Sequence, residues 1–192
     1  MTNFEFVFSL YSLLFGLALT QVFAGFGNTL QERHKIKLGW LTPLLGLVVI
    51  MDLTSFWATG WDIKNMFRPD FVYLLCGVLL AGIYYLAARL VFPRNFVEWP
   101  DFDDYYLAHR RWVLGGILVC NVVAVTLLLA VDEYWRTLLG VLDLLTYFAP
   151  LIALLTVRNK RANITLLSFL LARWAVFPFL GVIEVGTHTK VL

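Results

Sequence analysis

The sequence predicts an all-α polytopic membrane protein, one domain over residues 1–192, with six transmembrane helices and a candidate inverted three-plus-three repeat. Three observations lead there. Of the 192 residues, 60% are hydrophobic and only 15% are charged, whereas soluble domains carry about 25% charge. Mean hydropathy is +0.78. The apolar residues gather in six runs, each near the ~20 residues that cross a bilayer as a helix. The runs are continuous rather than alternating, which argues against a transmembrane barrel. The net charge of +2, with basic residues scattered along the chain, argues against nucleic acid as a partner.

The runs are Phe4–Asn28, Leu38–Trp61, Phe71–Phe92, Trp112–Val131, Trp135–Val157 and Ala162–Val185. The first is too long for a secretory signal, and no Lys or Arg precedes it. Thr2 with Glu5 three residues later is a helix-start signature. Pro69-Asp70 and Pro100-Asp101 mark starts for the third and fourth helices. Trp40, Trp61, Trp112 and Trp135 stand at span ends, where an aromatic belt is expected. Cys76 and Cys120 lie at different depths, so a disulfide between them is not expected.

Orientation follows from the basic residues of the connections. Connections one, three and five carry Arg33, Lys35, Lys37, Arg94, Arg110, Arg111, Arg158, Lys160 and Arg161. The opposite side carries only Lys64, Arg68, Arg136 and Lys190. The odd connections are therefore expected in the cytoplasm and both termini outside it.

Two segment pairs motivate the repeat, with units 1–93 and 112–185. Asp52 to Ala58 (DLTSFWA) parallels Asp143 to Ala149 (DLLTYFA). Leu86 to Pro93 (LAARLVFP) parallels Leu170 to Pro178 (LLARWAVFP), with one residue inserted. A three-span unit repeated once runs inverted, an architecture with sites near the midplane. The spacing from the Asp to the Arg differs between the halves, and so do the depths of Arg89 and Arg173.

Charges inside the spans are the most informative feature. Asp52 lies near the middle of span two, Asp143 on the outer side of the centre of span five, and Glu184 near the outer end of span six. Arg173 sits about 16 Å into span six at 1.5 Å per residue. Arg89 is close enough to the end of span three to snorkel. An ionised group at the bilayer centre costs about 2.5–3.5 kcal/mol and therefore faces the bundle interior or a wet cavity, paired. Arg173 is expected to pair with Asp52, Asp143 or both, since a guanidinium holds two carboxylates. Two Asp and one Arg leave one carboxyl as a candidate proton carrier. The same three residues equally describe a structural lock.

Polar neighbours mark a candidate cavity: Ser55 and Thr59 share a helix face with Asp52, Tyr147 and Pro150 share one with Asp143, and Gln21 and Asn121 add amides. Pro150 should free a carbonyl in span five. In span one, Ser12, Gly16, Thr20 and Ala24 recur every four residues, a small-residue stripe that lets a helix approach closely, within the chain or in an oligomer.

The third connection, Arg94 to Arg111, interleaves aromatics with Glu98, Asp101, Asp103 and Asp104. It reads as an interfacial segment followed by a helix that runs into span four. No pair of histidines shares a helix face, so no metal or haem site is expected. No phosphate loop or activated nucleophile is present, and no cofactor is expected.

The stretches Phe15 to Thr20 (FGLALT), Ala24 to Gly27 (AGFG) and His109 to Trp112 (HRRW) resemble a family of small, uncharacterised multi-span bacterial inner-membrane proteins. The resemblance covers most of the chain in span layout. It implies a bacterial inner-membrane location and supplies no activity, cofactor or catalytic residue. The leading expectation for function is a small channel or ion-coupled transporter built on Asp52, Asp143 and Arg173. The alternative is a non-catalytic subunit or scaffold of a larger membrane complex. Its partners would be lipids and either a second copy or other membrane subunits.

Overall fold

The structure, a computed structural model, describes residues 2–131 and 133–188, without the side chains of residues 62, 66, 131, 175 and 177–188. Six helices are present: α1 (Asn3–Gln31), α2 (Leu41–Asp62), α3 (Phe71–Arg89), α4 (Phe102–Val131), α5 (Leu138–Thr156) and α6 (Lys160–His188). Among the described residues, α1 to α5 are long and apolar enough to cross a membrane. Their outward faces are apolar as well, with Leu13, Leu17, Phe23, Leu79, Leu86, Val122 and Leu145 exposed. A soluble monomer does not present so continuous an apolar surface.

The starts obey the local signals. Thr2 and Glu5 form a reciprocal capping box on α1. Asp70 accepts the Tyr73 amide at the start of α3, and Asp101 accepts the amides of Asp103 and Asp104 at the start of α4. Helix α4 begins ten residues before Trp112, as expected for the third connection. Trp40 and Trp61 are exposed at the two ends of α2. Trp112 is exposed ten residues into α4. Trp135 stands between α4 and α5, in a short 3-10 turn, Glu133–Arg136, and borders a cavity.

Helices α2 and α4 form the middle of the bundle. Helix α2 packs against α1, α4 and α6; α4 packs against α3, α2 and α5; α1 also packs against α3, and α5 against α6. The main core lies between them, with Leu45, Val48, Val49, Ile117, Leu151, Leu154, Leu167 and Leu170 wholly buried. A smaller cluster of Val7, Ile63, Phe67 and Leu128 closes the end where the even connections lie. Between helices in lipid, close packing replaces the hydrophobic driving force. Here it is achieved by placing aromatic rings against glycines, Phe92 on Gly25 and Tyr11 on Gly77.

Gly140 has the tightest backbone approach. A Cβ there would lie 2.3 Å from the Tyr134 carbonyl oxygen and 2.7 Å from the Trp135 Cα. Backbone cannot swing aside, so Gly140→Ala should destabilise by about 1–3 kcal/mol. Gly82→Ala on α3, which meets nothing within 4 Å, should change stability by less than about 0.5 kcal/mol. Thermal unfolding of the two variants in the same detergent checks the contrast.

The odd connections meet at one end and are latched together. Lys37 and Asp101 form an isolated parallel bridge, with Lys37 N donating to Pro100 O (2.7 Å) and Phe102 N to Lys37 O (3.1 Å). Their side chains form an ion pair at 2.6 Å. Asp103 Oδ1 then accepts the amides of Trp40 and Leu41, both at 3.1 Å, so α4 supplies the cap that α2 lacks. Gly39 permits this approach, since its φ is +62° and a Cβ would strike the Asp103 carboxylate.

The latch carries a pH signature. Burial pushes the Asp101 carboxyl up, but the Lys37 ammonium, the Asp103 and Asp104 amides and Lys160 outweigh it and hold it below the ordinary carboxylate range. The hydrogen bond and charge of Asp101 raise Lys37 above the ordinary lysine value. A lowered carboxyl stabilises the fold above its unfolded pKa, and that contribution is lost as pH falls through the folded value. A raised ammonium contributes below its unfolded pKa and loses the contribution as pH rises through its folded value. Amide exchange at Lys37 and Phe102 should therefore accelerate at the acid and alkaline limits, and Asp101→Asn should remove the acid step.

Candidate functional site

Two buried polar clusters lie side by side across the bundle. The first is centred on Asp52, which is wholly buried on α2. Its carboxylate accepts Tyr84 Oη from α3 at 2.6 Å, Tyr147 Oη from α5 at 2.6 Å and Asn121 Nδ2 from α4 at 3.0 and 3.2 Å. Four helices are thus tied to one side chain. Each donor is satisfied by the carboxylate, and each carboxylate oxygen accepts two bonds, so the cost of burial is offset by charge-assisted hydrogen bonds.

The second cluster is the ion pair of Asp143 on α5 and Arg173 on α6, whose side chains are 10% and 8% exposed. Arg173 Nη2 donates to Asp143 Oδ1 and to the Asp143 carbonyl, the latter at 3.3 Å, and Nε donates to Thr146 Oγ1 at 3.4 Å. Helical rise explains the meeting. Asp143 is five residues from the start of α5, about 8 Å, and Arg173 is thirteen from the start of α6, about 20 Å; across a core of ~30 Å these depths nearly coincide. The guanidinium also lies 5.2 Å from the ring centroids of both Tyr147 and Trp174. Tyr147 therefore joins the clusters, with its hydroxyl on Asp52 and its ring against Arg173.

A cavity of about 240 Å³ opens on this pair, bordered also by Ser55, Thr59, Asn121, Tyr147 and Trp174. Its lining comes from the half of the bundle that faces the even connections. Toward the odd connections lie the buried core leucines and valines. The indole N–H of Trp174 is buried with no hydrogen-bond partner among the described residues, a donor available to a polar guest.

No family model, curated protein or solved structure matches this chain.

The expected residues sort clearly. Asp52, Asp143, Arg173, Ser55, Thr59, Asn121 and Tyr147 converge on the cavity or its floor. Gln21 is half-buried on α1 and does not border it. Arg89 stands at the end of α3, away from the network, with a 3.5 Å contact to Tyr85 Oη. Glu184 falls on α6 beyond the described side chains, and Lys190 lies outside the described residues. In the α1 stripe, Ser12 accepts the Trp57 indole N–H at 3.3 Å, whereas Thr20 and Ala24 are exposed and nothing approaches Gly16. Cys76 is exposed and Cys120 buried, both as free thiols.

The acidic run near His109 serves in capping and ion pairs, and the His109 ring stacks on Tyr105 at 4.2 Å. Among the described residues no cluster of His, Cys, Asp and Glu is placed to hold a metal ion.

Tyr84 and Arg110 are functional or structural anchors that the sequence pattern does not single out. Tyr84 carried a usable signal, since a tyrosine inside a span needs a partner for its hydroxyl. Arg110 was counted only as a loop charge. It is 2% exposed, donating to Val157 O and to Asn163 Oδ1 at 3.0 Å, while Tyr106 Oη donates to the same Oδ1 at 2.8 Å. That group caps the end of α5 and ties it to α4 and α6.

Proposed function

We propose that this chain is a small ion-coupled carrier of a polar solute in the bacterial plasma membrane, with six spans and both termini outside the cytoplasm. One observation carries the reading: a cavity lined by the Asp143–Arg173 pair lies in the half of the bundle toward the even connections and borders Asn121 and Tyr147, which hold Asp52. A carrier needs a site reachable from one side at a time, with charge at its floor. A channel needs a continuous polar path, and the packed core beyond Asp52 favours the carrier. The inverted repeat is a candidate route to alternating access, because Asp52 and Asp143 are its paired residues. The excess of basic residues on the odd connections supports the orientation.

The test is proton flux into proteoliposomes, read by entrapped pyranine under a potassium diffusion potential. Wild-type protein should give pH-dependent flux. Asp143→Asn and Asp52→Asn should each lower it by about tenfold or more, the loss expected for a residue that binds or transfers the coupling ion. Unchanged flux and pH dependence in both variants would end the proposal. Thr59→Cys, in a background lacking native thiols, should react with an impermeant thiol reagent added from the even-connection side only.

The second reading is a subunit or scaffold. It is favoured by Gly16, Thr20 and Ala24 on the outer side of α1, where nothing among the described residues approaches Gly16 and where Thr20 and Ala24 are exposed. Native mass spectrometry from gently solubilised membranes separates the two. A stoichiometric complex with other membrane proteins favours the subunit; a monomer or homo-oligomer favours the carrier.

A further inference from the structure

A second cavity, of about 340 Å³, lies at the odd-connection end, between the last turn of α3 and the third connection. It is independent of the carrier site and shares no lining residue with it. Its charged residues are Arg89, Arg94 and Glu98, a local balance of one positive charge. We infer that it binds the phosphate of an anionic ligand, which its place at the membrane surface identifies as a phospholipid headgroup.

Four features support the assignment. Arg89 is half-buried, and its hydrogen bonding within the described residues is a single 3.5 Å contact with the Tyr85 hydroxyl. By contrast Lys37, Lys160 and Arg173 each meet a carboxylate. A guanidinium held partly out of water without a carboxylate suits a phosphate, whose oxygens match its fork of donors.

Second, the backbone carbonyls that would repel an anion there are occupied. The single hydroxyl proton of Tyr105 is shared between Leu90 O at 3.1 Å and Phe92 O at 3.3 Å. Third, Asn95, which lines the cavity, engages its acceptor Oδ1 with the amides of Val97 and Glu98 at 3.1 and 3.4 Å, so its side-chain N–H groups are not used in those bonds.

Fourth, the surroundings point to lipid rather than to a soluble anion. Trp99 packs edge-on against Tyr105 and His109, a rigid aromatic wall at span-end level. The adjacent Val97 is 91% exposed, an apolar side chain where a loop in water would carry a polar one. Basic pockets at the cytoplasmic ends of transmembrane helices are a recurrent way of holding anionic headgroups.

The experiment uses the full chain in phosphatidylcholine nanodiscs with and without phosphatidylglycerol, with bound lipid counted by native mass spectrometry after gentle release. A parallel arm offers inorganic phosphate as competitor. Wild type should retain phosphatidylglycerol in preference to phosphatidylcholine. Arg89→Gln should lower its affinity about tenfold, as for one lost charge-assisted hydrogen bond.

Arg94→Gln, on an exposed side chain, should lower it without altering stability. Glu98→Gln should raise it, because it removes the carboxylate that lines the cavity among the described residues. Displacement of lipid by millimolar phosphate would keep the phosphate chemistry and transfer the site to a soluble anion. Equal retention by all three variants, with no effect of phosphate, would overturn the inference.

Discussion

Asp52→Ala should be among the most damaging single substitutions in this protein, lowering stability by about 3 kcal/mol or more. The loss does not arise mainly from the missing side chain. It arises because Tyr84, Tyr147 and Asn121 converge on the carboxylate from three other helices. Removing it strands the two buried tyrosine hydroxyls and takes from Asn121 its contact across the bundle. Interhelical hydrogen bonds in membranes average well under 1 kcal/mol when partners are found elsewhere; here Asn121 keeps the Ile117 carbonyl at 3.0 Å, whereas the Tyr84 and Tyr147 hydroxyls each donate to Asp52 alone.

Asp52→Asn should be milder, since one oxygen still accepts while the new amide opposes a tyrosine hydroxyl. The discriminating variant is Asp52→Leu combined with Tyr84→Phe and Tyr147→Phe. Replacing both sides of a buried polar contact with apolar groups is often close to neutral, so the triple variant should recover much of the stability. If the cluster also serves the carrier, flux stays lost in the refolded triple variant; if it is a lock alone, flux returns. Unfolding in detergent and the pyranine assay read the two effects separately.

The second large effect is an asymmetry at Asp143 and Arg173. Arg173→Gln leaves a buried carboxylate without its cation, and breaking a buried pair in this way costs about 3–5 kcal/mol. Asp143→Asn should cost less. Arg173 would keep the Asp143 carbonyl, Thr146 Oγ1 and the flanking Tyr147 and Trp174 rings. The double variant Asp143→Asn with Arg173→Gln should be more stable than Arg173→Gln alone, because no unpaired charge then remains. A double-mutant cycle on unfolding free energy measures the coupling. Equal losses for the two single variants would overturn the asymmetry and show that the ion pair itself, lost in either variant, sets the cost.

Much of the site was legible because lipid makes polarity expensive. A carboxylate or guanidinium in a twenty-residue apolar run must face inward, so Asp52, Asp143 and Arg173 stood out without any structure. Helical periodicity then put Ser55 and Thr59 beside Asp52, and both line the cavity. What periodicity does not contain is the partner. Asp52 and Asp143 were equivalent candidates for Arg173, and Asp143 is the one that forms the ion pair because its depth in α5 matches that of Arg173 in α6. Gln21 and Arg89 were drawn into the network by their polarity, but α1 and the end of α3 face elsewhere.

The sequence by itself determined the helical class, the apolar runs long enough to cross a membrane and the starts of α1, α3 and α4, because these depend on local hydropathy and on caps within four residues. Tertiary structure alone decided which side chains meet. Asp103 caps α2 from sixty residues away, Arg110 leaves the surface to close the end of α5, and Tyr84 turns its hydroxyl to Asp52. The physical reason is the same in each case. A buried polar group must find a partner, but the choice among partners is set by helix order, depth and rotation, and no local stretch of sequence encodes these.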